Sequence, residues 1–174
     1  ADLNLIISTY AGLEEVLAKE IRLLGGRDIE THTRAVSCVG DKGFMYKANF
    51  SLRTALRVMV KLDSFPIRDG QDIYDGVGRI DWSQYMKVDQ TFAVRCTLSS
   101  DVFDNNLFPA LKAKDAIADF FRGKTGQRPD VHKTSPDLEV QLFIHRNQCQ
   151  VSINSSGPSL HLRGYRKEVD KAPL

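Results

Sequence analysis

The sequence predicts an α+β fold made of two consecutive units, and three observations carry the prediction. Apolar runs and turns over the first 65 residues alternate in the order β-α-β-β-α-β. One long helical period occupies residues 107–124. Stretches with the period-2 alternation of half-buried strands surround it at 91–98, 138–144 and 150–154.

The first unit opens with a strand over Leu3–Tyr10, whose apolar centre is Leu5, Ile6 and Ile7. Gly12 breaks it. Leu13, Val16, Leu17, Ile21 and Leu24 then recur at helical spacing, with Glu14 and Glu15 in the favourable first turn and Gly25-Gly26 as the stop. Short strands are expected at Ile29–Thr33 and Ala35–Val39. A helix is expected over 44–57, with Phe44, Ala48, Leu52 and Ala55 on one side, and a strand over Val58–Phe65. This order is the ferredoxin-like arrangement, a sheet covered on one face by two helices.

Pro66–Gly70 reads as a connection and Gln71–Val77 as a short helix. Ile80, Trp82, Tyr85 and Met86 form an apolar cluster. Trp82 can stack on a base, but a core or domain-interface anchor is the better reading of the single tryptophan. Thr91–Leu98 alternates as a strand. In the helix over 107–124, Asn106 is the expected cap and Pro109 falls in the tolerated first turn. Ala110, Ala113, Ile117, Phe120 and Phe121 face a core; Lys112, Asp115, Asp119 and Arg122 fit a surface ladder of ion pairs; Lys114, Lys124 and Arg128 lack obvious acidic partners. Gly126 and Pro129 end the helix. The last two strands form a hairpin turning at Arg146-Asn147.

The composition, 42% hydrophobic and 26% charged, is that of a globular chain. No apolar run reaches the roughly 18 residues that a membrane span needs, and no secretory leader is recognisable. Cys38, Cys96 and Cys149 are widely spaced and odd in number, which fits a reducing cytoplasm rather than a disulfide framework. Charge is unevenly spread: residues 1–104 hold 13 Lys+Arg against 15 Asp+Glu, net −2, whereas residues 105–174 hold 11 against 7, net +4. The later part would attract a polyanion, although such an asymmetry also fits a solvated surface.

Motifs for catalysis are missing. His32, His132, His145 and His161 show no metal-ligand spacing, and there is no nucleophile elbow or phosphate-binding loop. Gly76-Val77-Gly78 lacks the third glycine of a dinucleotide fingerprint and reads as a turn. Asp101 and Asp104 read as loop and capping residues.

The end of the chain is the most informative segment. Asn154-Ser155-Ser156-Gly157 closes a strand; Leu160, His161, Arg163, Gly164, Tyr165 and Arg166 follow, then Ala172-Pro173. Two guanidiniums, an imidazole and an aromatic ring around a glycine suit RNA phosphate and base contacts. They equally suit a polar linker, which composition alone favours. The pattern resembles the junction of bacterial THUMP-containing RNA methylases, the group that includes 23S rRNA guanine-N2 methyltransferases. There an Asp-x-Ser-Gly strand end leads through Leu-His-x-Arg-Gly-Tyr-Arg and Ala-Pro into the methyltransferase domain. The resemblance extends to Thr9-Tyr10-Ala11-Gly12-Leu13-Glu14-Glu15, Asp72-Ile73-Tyr74, Lys114-Asp115-Ala116-Ile117 and Arg128-Pro129. Asn154 departs from the family's Asp and carries no charge.

The resemblance implies a ferredoxin-like domain over 1–65, a THUMP domain over 66–166, and the start of a linker over 167–174 to a methyltransferase domain that this chain lacks. It implies no cofactor in this fragment and S-adenosylmethionine for the parent enzyme. The expected partners are rRNA, or alternatively tRNA, and the catalytic domain in cis, with no membrane. Resemblance and charge together nominate Asn106, Lys112, Lys114, Lys124, Arg128, His161, Arg163 and Arg166 as RNA-binding residues. The competing class is a ligand-binding or oligomerising ferredoxin-like module without RNA affinity, and a second competitor is a small enzyme built from dispersed residues.

Overall fold

The computed structural model describes residues 2–99 and 101–156. Its contacts cluster into two compact units, residues 2–61 with 154–156, and residues 62–153.

In the first unit the elements are β1 (Leu3–Thr9), α1 (Glu14–Leu24), β2 (Arg27–His32), β3 (Ala35–Gly40), α2 (Lys42–Ser51) and the start of β4 (Ala55–Pro66). The strands run antiparallel in the order β2-β3-β1-β4. Leu5 and Ile7 of β1, Val36 and Cys38 of β3 and Val58 and Val60 of β4 are buried, as are Leu17 and Ile21 of α1 and Phe44 and Ala48 of α2. This is the ferredoxin-like order that the sequence predicts. Gly25 caps α1 with a left-handed φ of 109°, a conformation glycine adopts without steric cost. Glu20 of α1 accepts from both the amide (3.3 Å) and the hydroxyl (2.6 Å) of Thr54, which fixes the turn into β4.

Two expectations fail here. The second helix does not run over 44–57; it spans Lys42–Ser51. Asp41 starts it early by accepting from the Phe44 amide at 2.7 Å. Leu52 is already extended, and Ala55, expected on the helix face, is the first residue of β4. Val16, expected in the core stripe of α1, is 47% exposed because Leu17 and Ile21 take the inward face.

The second unit continues with the end of β4, α3 (Gly70–Gly78), a 3-10 turn (Trp82–Gln84), β5 (Thr91–Ser99), α4 (Leu107–Thr125), β6 (Asp130–Val131), β7 (Leu138–His145) and β8 (Gln148–Asn154). Strand order is β8-β7-β5-β6. β7 and β8 form an antiparallel hairpin, with Arg146 at a φ of 54° in its two-residue turn. β5 pairs parallel to β7, so α4 is the crossover between them. Asp137 clasps the two strand starts together by accepting from the Thr91 amide at 2.9 Å. Leu138, Val140, Leu142 and Ile144 alternate inward along β7, facing a core that includes Phe92, Ile117 and Phe121. Trp82 is fully buried, and its indole N–H donates to the Val77 carbonyl at 2.8 Å. It is a core anchor, not a base-stacking platform.

The cap of α4 differs from expectation. The Asn106 side chain makes no capping bond; the Asn105 carbonyl oxygen instead accepts from the Leu107 (3.0 Å) and Phe108 (3.1 Å) amides. Asn106 turns back and donates to the Cys96 carbonyl at 3.2 Å. The short strand β6, parallel to β5, was not anticipated.

Candidate nucleic-acid interface

Helix α4 carries three of the nominated basic positions, Lys112, Lys114 and Lys124, and the turn of the helix decides which of them meet. Lys112 and Lys114 are two positions apart, about 200° around the helix axis, so they do not share a face. Lys112 lies with its ammonium 5.6 Å from the Phe108 ring centroid. Among the described residues, no carboxylate pairs with Lys114. Lys124 is twelve positions beyond Lys112, roughly 18 Å along the axis. The nominated residues thus separate into Asn106 with Lys112 at the start of α4, Lys114 on another side, and Lys124 with Arg128 at its end. His161, Arg163 and Arg166 lie outside the described residues.

The end of α4 is the more organised location. Lys124 and Arg128 have acidic partners that were not obvious from the sequence. Lys124 Nζ is 3.6 Å from Asp81, and Arg128 Nη2 is 3.7 Å from Asp119 Oδ1. Arg122 reaches the same Asp119 oxygen at 3.5 Å. The partner of Lys124 comes from a different segment, and that of Arg128 lies nine positions back, so neither followed from local spacing. Asp119 Oδ2 accepts from the Tyr74 hydroxyl at 2.6 Å, which raises the Tyr74 pKa above its ordinary value, chiefly through that hydrogen bond. Lys124 also stands 5.1 Å from the Phe120 ring centroid.

The ion-pair distances matter for function. Charge-assisted N–H···O bonds run at about 2.7–2.9 Å and are often bidentate for arginine. Arg122, Arg128 and Lys124 are all held more loosely, through single nitrogens at 3.5–3.7 Å. Exposed pairs of this kind contribute only about 0–1 kcal/mol. Asp119 and Asp81 therefore hold these exposed cations only weakly.

Between α3 and α4 lies a groove of about 400 Å³, lined in part by Tyr74, Gly78, Arg79, Asp119 and Phe120. Sequence reasoning missed Tyr74, Arg79 and Phe120 as site residues, since α3 and α4 are brought together only by the fold.

Comparison with known proteins identifies this unit. The THUMP domain family matches residues 68–154, half of the chain. The chain belongs to the THUMP domain family. The region before the THUMP domain, residues 4–59, matches the RlmL ferredoxin-like domain. The chain is 39% identical over 171 residues to a ribosomal RNA large subunit methyltransferase K/L from Pseudomonas putida (strain W619), covering 98% of this chain and 23% of that protein. A solved structure named a possible methylase from Clostridium difficile 630 superposes with a TM-score of 0.79 at 27% identity, over 100% of this chain and 46% of that one. A 4-thiouridine synthetase solved with RNA and ATP shares the fold at a TM-score of 0.53 and 11% identity, over 87% of this chain and 41% of its own. The THUMP chain thus spans about a quarter of its curated relative.

The one Gly-x-Gly of the sequence is not a nucleotide cradle. Gly76-Val77-Gly78 closes helix α3 instead of joining a strand to a helix, and a Cβ on Gly76 would lie 2.4 Å from the Phe65 ring. That glycine is required by packing. Among the described residues no group of three His, Cys, Asp or Glu side chains is placed to hold a metal, and no helix is long and apolar enough to cross a membrane.

Proposed function

We propose that this chain is the RNA-binding and substrate-positioning region of an S-adenosylmethionine-dependent RNA methyltransferase that modifies guanine N2 in large-subunit rRNA. The observation that carries the reading is the pair Arg122 and Arg128, held loosely on Asp119 at the end of α4 in a THUMP domain, with Lys124 on Asp81 in the same last turn. Exposed cations that are only weakly held are what a phosphate backbone needs. The name of the Pseudomonas relative supports rRNA over tRNA as substrate and methylation as the reaction. In this reading residues 1–65 and 66–166 are the two domains, and 167–174 lead to a catalytic domain in cis that binds the cofactor. Free Cys38, Cys96 and Cys149 suit the reducing cytoplasm in which such an enzyme would work.

RNA contact by the nominated set, Asn106, Lys112, Lys114, Lys124, Arg128, His161, Arg163 and Arg166, belongs to the same proposal, with Lys124 and Arg128 as its centre. The test is a gel shift of the 174-residue chain with structured 23S rRNA fragments at low salt. Charge reversal at Lys114 and Arg128 is expected to weaken binding while the circular dichroism melt is retained. Absence of any shift by the unaltered chain in dilute buffer would sink the reading in favour of a ligand-binding or oligomerising module.

A further inference from the structure

The α3–α4 groove has a charge arrangement that restricts what can enter it. Its lining carries carboxylates, Asp75 and Asp119, beside the aromatic rings of Tyr74 and Phe120; Asp75 Oδ1 accepts from the Gln71 side-chain amide at 2.9 Å and Asp119 Oδ2 from the Tyr74 hydroxyl at 2.6 Å, so an amino edge would share or displace these donors. Its rim carries guanidiniums: Arg79 lines it, and Arg122 and Arg128 approach through Asp119. The arrangement suits a ligand whose inner part is a flat, neutral ring with N–H donors and whose outer part is anionic. About 400 Å³ is at the lower end of ordinary ligand sites and is ample for one base with its sugar.

We propose that the groove receives one unstacked nucleotide of the bound RNA, its base against Phe120 and Tyr74 with an amino edge toward the Asp75 and Asp119 carboxylates, and its phosphate on Arg122 and Arg128. The proposal rests on the RNA-binding reading and makes it more specific. The groove takes an extruded or looped-out base, the form in which RNA sequence is ordinarily accessible to side chains. The rim alone would take any phosphate backbone; the groove supplies preference for an unpaired residue.

Gly78 allows a clean test. It ends α3 and lines the groove, and a Cβ built there meets nothing within 4 Å. Larger side chains at this position start from open space beside the groove and remove no cation. The 174-residue chain and its Gly78→Ala, Gly78→Leu and Gly78→Trp variants would be titrated by fluorescence anisotropy. The probes are a labelled RNA duplex with one bulged nucleotide and the same duplex without it. The unaltered chain is expected to prefer the bulged RNA by roughly ten-fold, the scale of one base–aromatic stack. That preference should fall progressively from Ala to Leu to Trp, while affinity for the plain duplex and its salt dependence stay fixed. If Gly78→Trp, folded by circular dichroism, keeps the preference, the groove does not take a base, although RNA binding still stands. If the unaltered chain binds neither duplex at low salt, the RNA-binding reading fails and the groove proposal with it.

Discussion

The Tyr74 hydroxyl donates to Asp119 Oδ2 at 2.6 Å, across 45 positions of sequence, and so ties α3 to α4. The same carboxylate orients Arg122 and Arg128 through its other oxygen. One side chain thus joins two helices and aims two cations.

Replacing Tyr74 with Phe removes the bond and leaves the ring in place. The expected cost is about 1 kcal/mol, read from urea unfolding. The pH dependence has a definite sign. The hydrogen bond to Asp119 raises the Tyr74 pKa above 10.0, so the folded state favours the protonated phenol. Its contribution is fully present below the unfolded value and is lost as pH rises through the folded one. Unfolding curves taken from pH 8 upward should therefore show the unaltered chain losing stability above about pH 10 more steeply than Tyr74→Phe.

Gly76 and Gly78, two positions apart, should respond oppositely to the same substitution. A Cβ at Gly76 lies 2.4 Å from ring atoms of Phe65, whereas one at Gly78 meets nothing within 4 Å. Gly76→Ala is expected to lose about 1–3 kcal/mol through overpacking. Gly78→Ala is expected to gain about 0.4–1 kcal/mol by restricting the unfolded chain. Equal thermal midpoints for the two variants would contradict the packing described for Phe65.

At the start of α4, Asn105→Ala should cost about 1 kcal/mol because two helix amides lose their acceptor. Asn106→Ala removes only a bond to the Cys96 carbonyl and should cost less. Denaturant midpoints of the two single variants decide between them.

For RNA binding, the slope of log affinity against log salt counts displaced phosphate counterions. Arg122→Ala and Arg128→Ala should each flatten that slope by about 0.7–0.9. Leu23→Ala, 90% exposed on α1, should leave it unchanged.

The thiols should be inert in the folded protein. Burial pushes Cys38 and Cys96 up to about 11 and Cys149 to about 12, so little thiolate exists at neutral pH. Labelling by a disulfide reagent at pH 8 is expected to be slow in buffer and fast in denaturant.

Much of the fold was legible because its signals are local. The alternation of Leu138–Ile144 and the Arg146-Asn147 turn specify their hairpin directly, and Gly25 and Gly126 mark helix ends by the left-handed conformations they adopt. The errors fall where a local signal is shared. Leu52 and Ala55 fit a helix period, but Ala55 belongs to β4, whose pairing with β1 is non-local. Asn105 and Asn106 are equally good caps by composition, and only backbone geometry chooses between them. The interface was legible as basic residues, not as a place. Asp81 and Asp119 gather Lys124 and Arg128 through contacts that no spacing rule reports. Arg79 and Tyr74 join through the packing of α3 on α4.

The parallel register of β5 and β7 constrains how the second unit can assemble. Thr91 and Asp137 meet only after the chain has returned over 46 positions, whereas β7 and β8 zip from a two-residue turn. Closing the longer excursion requires an entropy loss before any ladder bond compensates it. The hairpin is therefore the cheaper pairing to close, and the docking of α4, which carries Arg122 and Lys124, depends on the costlier one.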